Sequence, residues 1–188
     1  MLKITDDIYQ SIDNGSFVAS VSLDISAAFD TIDHTILCNR LQSSFNVIGT
    51  VLKWFHSYIS GQSGYVKVGQ TFSALAINSS GVPRGSVLGP ILLRVYIAPI
   101  GRIVDAYNDV SYHTYDDDTQ LYVRLKDAGC MTALVACLRH LQHWFRRNML
   151  LLNGSKSDAI MVRLSLWILK GNLSYLILFS AQHNVTLV

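Results

Sequence analysis

Two hydrophobic periods share this chain, and the places where one gives way to the other mark its elements. Residues 2–13 carry apolar positions at helical spacing and are closed by "DNGS", a cluster of turn formers. "FVASVSLDIS", residues 17–26, is small, β-branched and apolar, which predicts a buried strand that runs into Asp24. From Thr31 the pattern "TIDHTILCNRLQ" becomes helical, with Ile32, Ile36, Leu37 and Leu41 on one face. Residues 46–60 predict a second helix, stopped at the Gly61 turn, and residues 64–78 alternate as two short strands around "GQ". "GVPRGSVLGP", residues 81–90, reads as a fixed loop. "SVLGPILLRVYIAPI" continues it as an apolar helix, with Ser86 as cap and Pro90 in the first turn. "DVSYHTYDDDTQLYVRL" reads as strand, acidic turn, strand. Residues 128–148 predict an amphipathic helix, and residues 149–162 two short strands around "NGSK". Beyond Val162 the runs are apolar without a sharp pattern.

Composition narrows the setting. A chain of 188 residues, half of them apolar, suits one domain or part of a larger one. With only 15% charged residues, much of it should be buried or face other parts of a larger protein. A net charge of +2 argues neither for nor against nucleic acid. Arg139, His140, Arg146 and Arg147 lie close in sequence, either as a solvated helix face or as phosphate contacts. Cys38, Cys130 and Cys137 are widely spaced and form no zinc pattern, so they read as reduced thiols. The N-terminus has acids and no apolar core, unlike a signal peptide. The apolar tail is interrupted at Lys170, Gly171 and Asn172, short of the roughly 20 residues that span a bilayer. The expectation is a cytoplasmic or nuclear protein with no membrane partner.

The carboxylates carry the chemistry. Asp24 ends a buried strand, where a charge is costly unless paired or bound to metal. Asp116, Asp117 and Asp118 are adjacent like charges in a strand-prone stretch, where carboxylates are depleted. Hard oxygen ligands at strand ends suit Mg²⁺. Two such ions can hold the attacking and leaving oxygens of a phosphoryl transfer. The other reading is an exposed hairpin tip stabilised by Asx-type turn bonds.

Four segments change that balance. "VSLDISAAFDTIDH", "GVPRGSVLGPILL", "TYDDDTQLYV" and "WFRRNMLLLNGSKS" occur in this order. Together they resemble the reverse transcriptase of non-long-terminal-repeat, LINE-type retrotransposons, over roughly residues 5–162. The resemblance implies an α+β fold: a polymerase palm, its antiparallel sheet backed by helices, with fingers and thumb largely missing. Residues 1–162 would be the partial domain, and 163–188 a segment without recognisable family similarity.

The implied activity is RNA-directed DNA polymerisation, a two-metal transfer of dNTP to a primer 3′-hydroxyl. It implies an RNA template, a DNA primer and dNTPs as partners, Mg²⁺ (two ions, or Mn²⁺) as cofactor, and no obligate protein partner. By the same resemblance Asp24, Asp117 and Asp118 hold the metals, and the Ile25 carbonyl assists. Phe29 becomes the aromatic gate beneath the sugar, with a core aromatic as the alternative. Gly81, Pro83, Arg84 and Gly85 form the loop against the template–primer, where the two glycines let backbone approach closely. Tyr115 and Asp116 fall at the substrate, Asp116 beside the primer end. Lys156 becomes a candidate general acid for pyrophosphate, against the plain reading of a solvated turn lysine. Three residues depart from the pattern: Asp116 for alanine, Arg84 for glutamine, and Arg94 in an apolar helix. These imply a degenerate or truncated copy with little activity. The alternative is a non-catalytic nucleic-acid-binding remnant.

Overall fold

A computed structural model describes residues 2–14, 16–115, 118–169 and 172–184. Its elements run α1 (Leu2–Asp13), β1 (Phe17–Leu23), β2 (Ile25–Ser26), α2 (His34–Phe45), α3 (Gly49–Ile59), β3 (Ser63–Gly64), β4 (Lys67–Val68), β5 (Thr71–Phe72), β6 (Ala76–Ile77), α4 (Gly89–Ile97), α5 (Ile100–Val104), β7 (Val110–Tyr115), β8 (Asp118–Leu125), α6 (Ala128–Arg147), β9 (Leu151–Leu152), β10 (Asp158–Leu169) and β11 (Asn172–Asn184). They form two compact units. The first takes residues 1–25, 99–144 and 152–188, the second residues 26–98 and 145–151.

The first unit is an antiparallel sheet in the order β11-β10-β1-β8-β7, accompanied by helices. Antiparallel strands can keep one face dry and the other polar. Here Ala19, Val21, Leu23, Leu121 and Val123 are buried, with Ser20, Ser22, Gln120 and Tyr122 on the intervening positions. Cys130, Leu134, Cys137 and Leu141 recur at steps of four, three and four along α6, and all four are buried. At the start of that helix the Asp127 carboxylate accepts the Cys130 amide at 3.2 Å, an N-terminal cap. Val162 falls inside β10, which continues to Leu169 and pairs with β11.

The second unit packs α2, α3 and α4 with two small hairpins, β3–β6 and β4–β5. α2 starts at His34 rather than Thr31, because the Asp33 side chain accepts the Ile36 amide at 2.8 Å. The apolar helix after the glycine loop stops at Ile97 and resumes as α5 at Ile100, because Pro99 interrupts it. Ser86 accepts the Gly89 amide at 3.0 Å, as a cap should. Arg94 lies on an exposed position of α4, so its charge costs the core nothing. Tyr96 is fully buried, and its hydroxyl donates to the Asn148 carbonyl at 2.8 Å and accepts the Asp33 amide at 3.3 Å. Arg40 completes that knot, donating to Asn148 Oδ1 at 2.6 Å with its guanidinium 4.8 Å from the Tyr96 ring centroid. Among the described residues no helix is long and apolar enough to cross a membrane.

Candidate active site

β1 and β8 pair from Phe17↔Leu125 to Leu23↔Thr119. The ladder ends there, next in sequence to Asp24 on one strand and to Asp118 on the other. Asp118 also pairs with Tyr115 across the β7–β8 hairpin. Strand alternation buries Thr119 and leaves Asp118 exposed on the opposite face, in line with Gln120 and Tyr122. The same alternation puts the half-buried Asp24 with Ser22, which faces Gln120. Asp24 and Asp118 therefore adjoin the last β1–β8 rung at the same end of the two strands. Asp116 and Asp117 lie outside the described residues. Tyr115 is exposed at the end of β7.

On the other side of β1, pairing with β10 reaches Ser22↔Asp158 and then gives way to a turn. Asp24 is past the end of that ladder, where its peptide groups would lose their partners. The turn supplies them: the Asn153 amide donates to the Asp24 carbonyl at 2.8 Å, and the Ser157 hydroxyl accepts the Asp24 amide at 3.2 Å. The exposed Lys156 sits in the same turn, its amide donating to the Asn153 carbonyl at 3.2 Å. Neither Asn153 nor Ser157 stood out in the sequence. The signal was the polar cluster "NGSKS", which marks a turn but not what the turn holds.

Apart from Ile25, the remaining expected site residues belong to the second unit. Ala27 takes a left-handed φ of 48°, and its carbonyl accepts the Asp30 amide at 2.8 Å. Phe29 is half-buried, and its carbonyl accepts the Val82 amide at 2.8 Å. Gly81 donates to the Ile32 carbonyl at 2.8 Å, and His34 Nε2 donates to the Gly81 carbonyl at 2.7 Å. A Cβ on Gly81 would stand 3.0 Å from Asp30 Cα and from the Asp30 and Phe29 oxygens, at a φ of +89°. Its missing side chain thus serves the seam between the two loops. Gly85 has a φ of +71° with open space around it. The Pro83 carbonyl accepts the Ser86 hydroxyl at 2.7 Å, closing that turn. Arg84 forms an ion pair with Asp30 through both guanidinium and carboxylate edges. Their loops line a cleft of about 460 Å³ with Gln62, Ser63 and Asn78. The ion pair raises the Arg84 pKa, chiefly through its hydrogen bond to Asp30. Ile25 is buried.

Among the described residues no group of three or more His, Cys, Asp or Glu gathers as a metal site. Asp24 and Asp118 still fit Mg²⁺ in kind, as hard carboxylates, half-buried and exposed respectively.

A family profile described as "Reverse transcriptase (RNA-dependent DNA polymerase)" matches residues 7–185. The chain is 30% identical over 165 residues to the "Probable RNA-directed DNA polymerase from transposon BS" of Drosophila melanogaster, covering 82% of this chain and 17% of that protein. It is 26% identical over 162 residues to the RNA-directed DNA polymerase from mobile element jockey of the same species, again covering 82% and 17%. The chain thus spans about a sixth of the length of these relatives. Two Candida tropicalis telomerase structures share the fold. One is an apo form truncated from the C-terminal domain (TM-score 0.62, 13% identity, 93% of this chain and 38% of that one). The other is in complex with a fragment of telomeric RNA (TM-score 0.65, 14% identity, 86% and 29%). On this evidence the chain belongs to the reverse transcriptase (RNA-dependent DNA polymerase) family.

Proposed function

We propose that this chain is the palm region, residues 1–162 with its sheet extended by β10 and β11, of a retrotransposon RNA-directed DNA polymerase. It would add dNTPs to a DNA primer on an RNA template, in the cytoplasm or nucleus. The observation that supports this is the β1–β8 register, whose last rung, Leu23↔Thr119, immediately adjoins Asp24 and Asp118 in sequence. In this reading Asp24, Asp117 and Asp118 hold Mg²⁺ (two ions, or Mn²⁺), with help from the Ile25 carbonyl. When bound, the metal supplies positive charge at the attacking and leaving oxygens. Lys156 gives a proton to the departing pyrophosphate. Phe29 lies beneath the sugar and excludes a 2′-hydroxyl. Gly81, Pro83, Arg84 and Gly85 border the template–primer, Tyr115 lies at the substrate, and Asp116 beside the primer end.

Asp116 adds a negative charge where the resemblance has alanine. At about 4–5 Å and an effective dielectric near 20, one extra charge is worth a few kcal/mol before screening. That is enough to slow the reaction by orders of magnitude. The reading is therefore a degenerate copy with little activity. The test is primer extension on an RNA template with Mg²⁺, comparing the unmodified chain, Asp116→Ala and Asp117→Ala. Asp116→Ala should extend at least tenfold faster than the unmodified chain, and Asp117→Ala not at all. Extension by Asp117→Ala at the unmodified rate would refute the catalytic assignment. A second reading, nucleic-acid binding without chemistry, is favoured by the exposed Arg139, His140, Arg146 and Arg147 of α6. Salt-dependent binding of an RNA–DNA hybrid with no extension by any variant supports it.

A further inference from the structure

We propose that Asn153 and Ser157 are positioning residues that hold Asp24 and Lys156 in one rigid frame. The inference rests on the polymerase reading, which makes Asp24 a metal-side carboxylate. Its basis is the end of the β1–β10 ladder. The last rung of that ladder is Ser22↔Asp158, and the short β2–β9 pairing begins only at Ile25, so Asp24 falls in the gap between the two. The turn holds Asp24 from both ends of the residue, through the Asn153 amide on its carbonyl and the Ser157 hydroxyl on its amide.

Ser157 is 0% exposed, unusual for a serine in a turn beside exposed neighbours. Its hydroxyl accepts from Asp24 and donates to the Asn153 carbonyl at 2.8 Å, so both of its capacities are used. Asn153 Oδ1 braces the turn again, accepting the Ser155 hydroxyl at 2.7 Å and the Ser155 amide at 3.2 Å. The Asn153 carbonyl also takes the Lys156 amide. The bonds that fix the carboxylate's backbone are therefore continuous with those that present the ammonium. Groups that orient a ligating residue in this way are typically worth 10–100-fold in metal affinity.

The test uses Mn²⁺ as probe and the full chain, with binding read by loss of the free-ion electron paramagnetic resonance signal. The unmodified chain should bind Mn²⁺, and Asp24→Asn should weaken binding at least tenfold. Ser157→Ala keeps every carboxylate but removes the acceptor for the Asp24 amide, and should weaken binding about tenfold. Ser157→Thr keeps the hydroxyl and should stay within about threefold of the unmodified chain. If Ser157→Ala binds as the unmodified chain does while Asp24→Asn fails, the positioning role is wrong and the polymerase reading stands. Equal loss in the alanine and threonine variants also overturns it, because the hydroxyl would not be what matters. Absence of any Asp24-dependent binding overturns both. Amide exchange on the unmodified chain needs no variant. The Asp24 and Asn153 amides should exchange at least 100-fold slower than in an unstructured peptide, and exchange at the unstructured rate overturns the frame.

Discussion

Arg84 forks onto Asp30: its Nε donates to one carboxylate oxygen at 2.8 Å, and Nη2 donates to the other. The loop expected to border nucleic acid therefore presents its cation already engaged. The pair is largely solvent-exposed, so its worth lies in where it keeps the charge rather than in stability.

Removing Asp30 should release that charge. The Asp30→Ala chain should bind an RNA–DNA hybrid about three- to tenfold more tightly at low salt. The log–log dependence of affinity on salt should steepen by about 0.9, the contribution of one added phosphate contact. Fluorescence anisotropy across a salt series measures both. An unchanged slope would mean that Arg84 does not reach phosphate even when freed.

Gly81→Ala should destabilise the chain by about 2–4 kcal/mol. The new methyl would strike the backbone of residues 29 and 30, and alanine would also have to adopt a strongly positive φ. Urea denaturation reads the loss as a lower midpoint at constant slope. A variant as stable as the parent would show that the Phe29–Val82 seam is not formed in solution.

Tyr96→Phe removes one hydroxyl that serves two backbone groups, the Asn148 carbonyl and the Asp33 amide. Both would be left without this partner in a buried setting, at a cost of about 1–3 kcal/mol. Thermal unfolding should show a drop of several degrees. No shift would mean that the Arg40–Tyr96–Asn148 knot is not what closes the second unit.

Tyr122 sets an alkaline limit. Its pKa is pushed up to about 12, first by desolvation and then by its hydrogen bond to Asp7, 2.6 Å away. A phenol whose folded pKa is raised favours the fold in its neutral form. Its contribution is whole below pH ~10, the unfolded value, and is lost as pH climbs toward 12. Because the ring is only partly buried, solvent screening keeps the effect to about 1 kcal/mol or less. Stability measured from pH 9 to 12 should fall less steeply in Tyr122→Phe than in the parent. Parallel curves would show that the Asp7 contact does not govern this titration.

How much of this was legible beforehand depends on the range of the interaction. The strand that runs into Asp24, the β7–β8 hairpin and the buried stripe of α6 follow from local periodicity, and all three are present. Ser86 as a cap and the hairpin around Gly69 and Gln70 were equally local. What local pattern could not reveal is which distant residues meet. The sequence places Arg84 in the loop against the template–primer, and nothing local points to its partner Asp30, which lies in the loop after β2. Arg94 could be read as an exposed position or as a lesion, because a helix this apolar does not announce which position faces water; it is exposed. β11 was missed because its apolar run lacks alternation, although the break at Asn172 marked its start. Asn153 and Ser157 escaped because a turn that clamps another strand is spelled with the same residues as a turn that clamps nothing.

The register between β1 and β8 has one more consequence, for how this site can be damaged. Side chains change faces at every residue of a strand, so the pair at its end is sensitive to slips rather than to spelling. One residue inserted into β8 with its start held in place would shift every later rung, so that the core layer of Leu121 and Val123 faced water. With the core held instead, Thr119 would take the place of Asp118 at the end of the strand. Substitutions can accumulate on the open face while the register is kept. A single-residue length change between Asp118 and Leu125 breaks it, however well every other position is preserved.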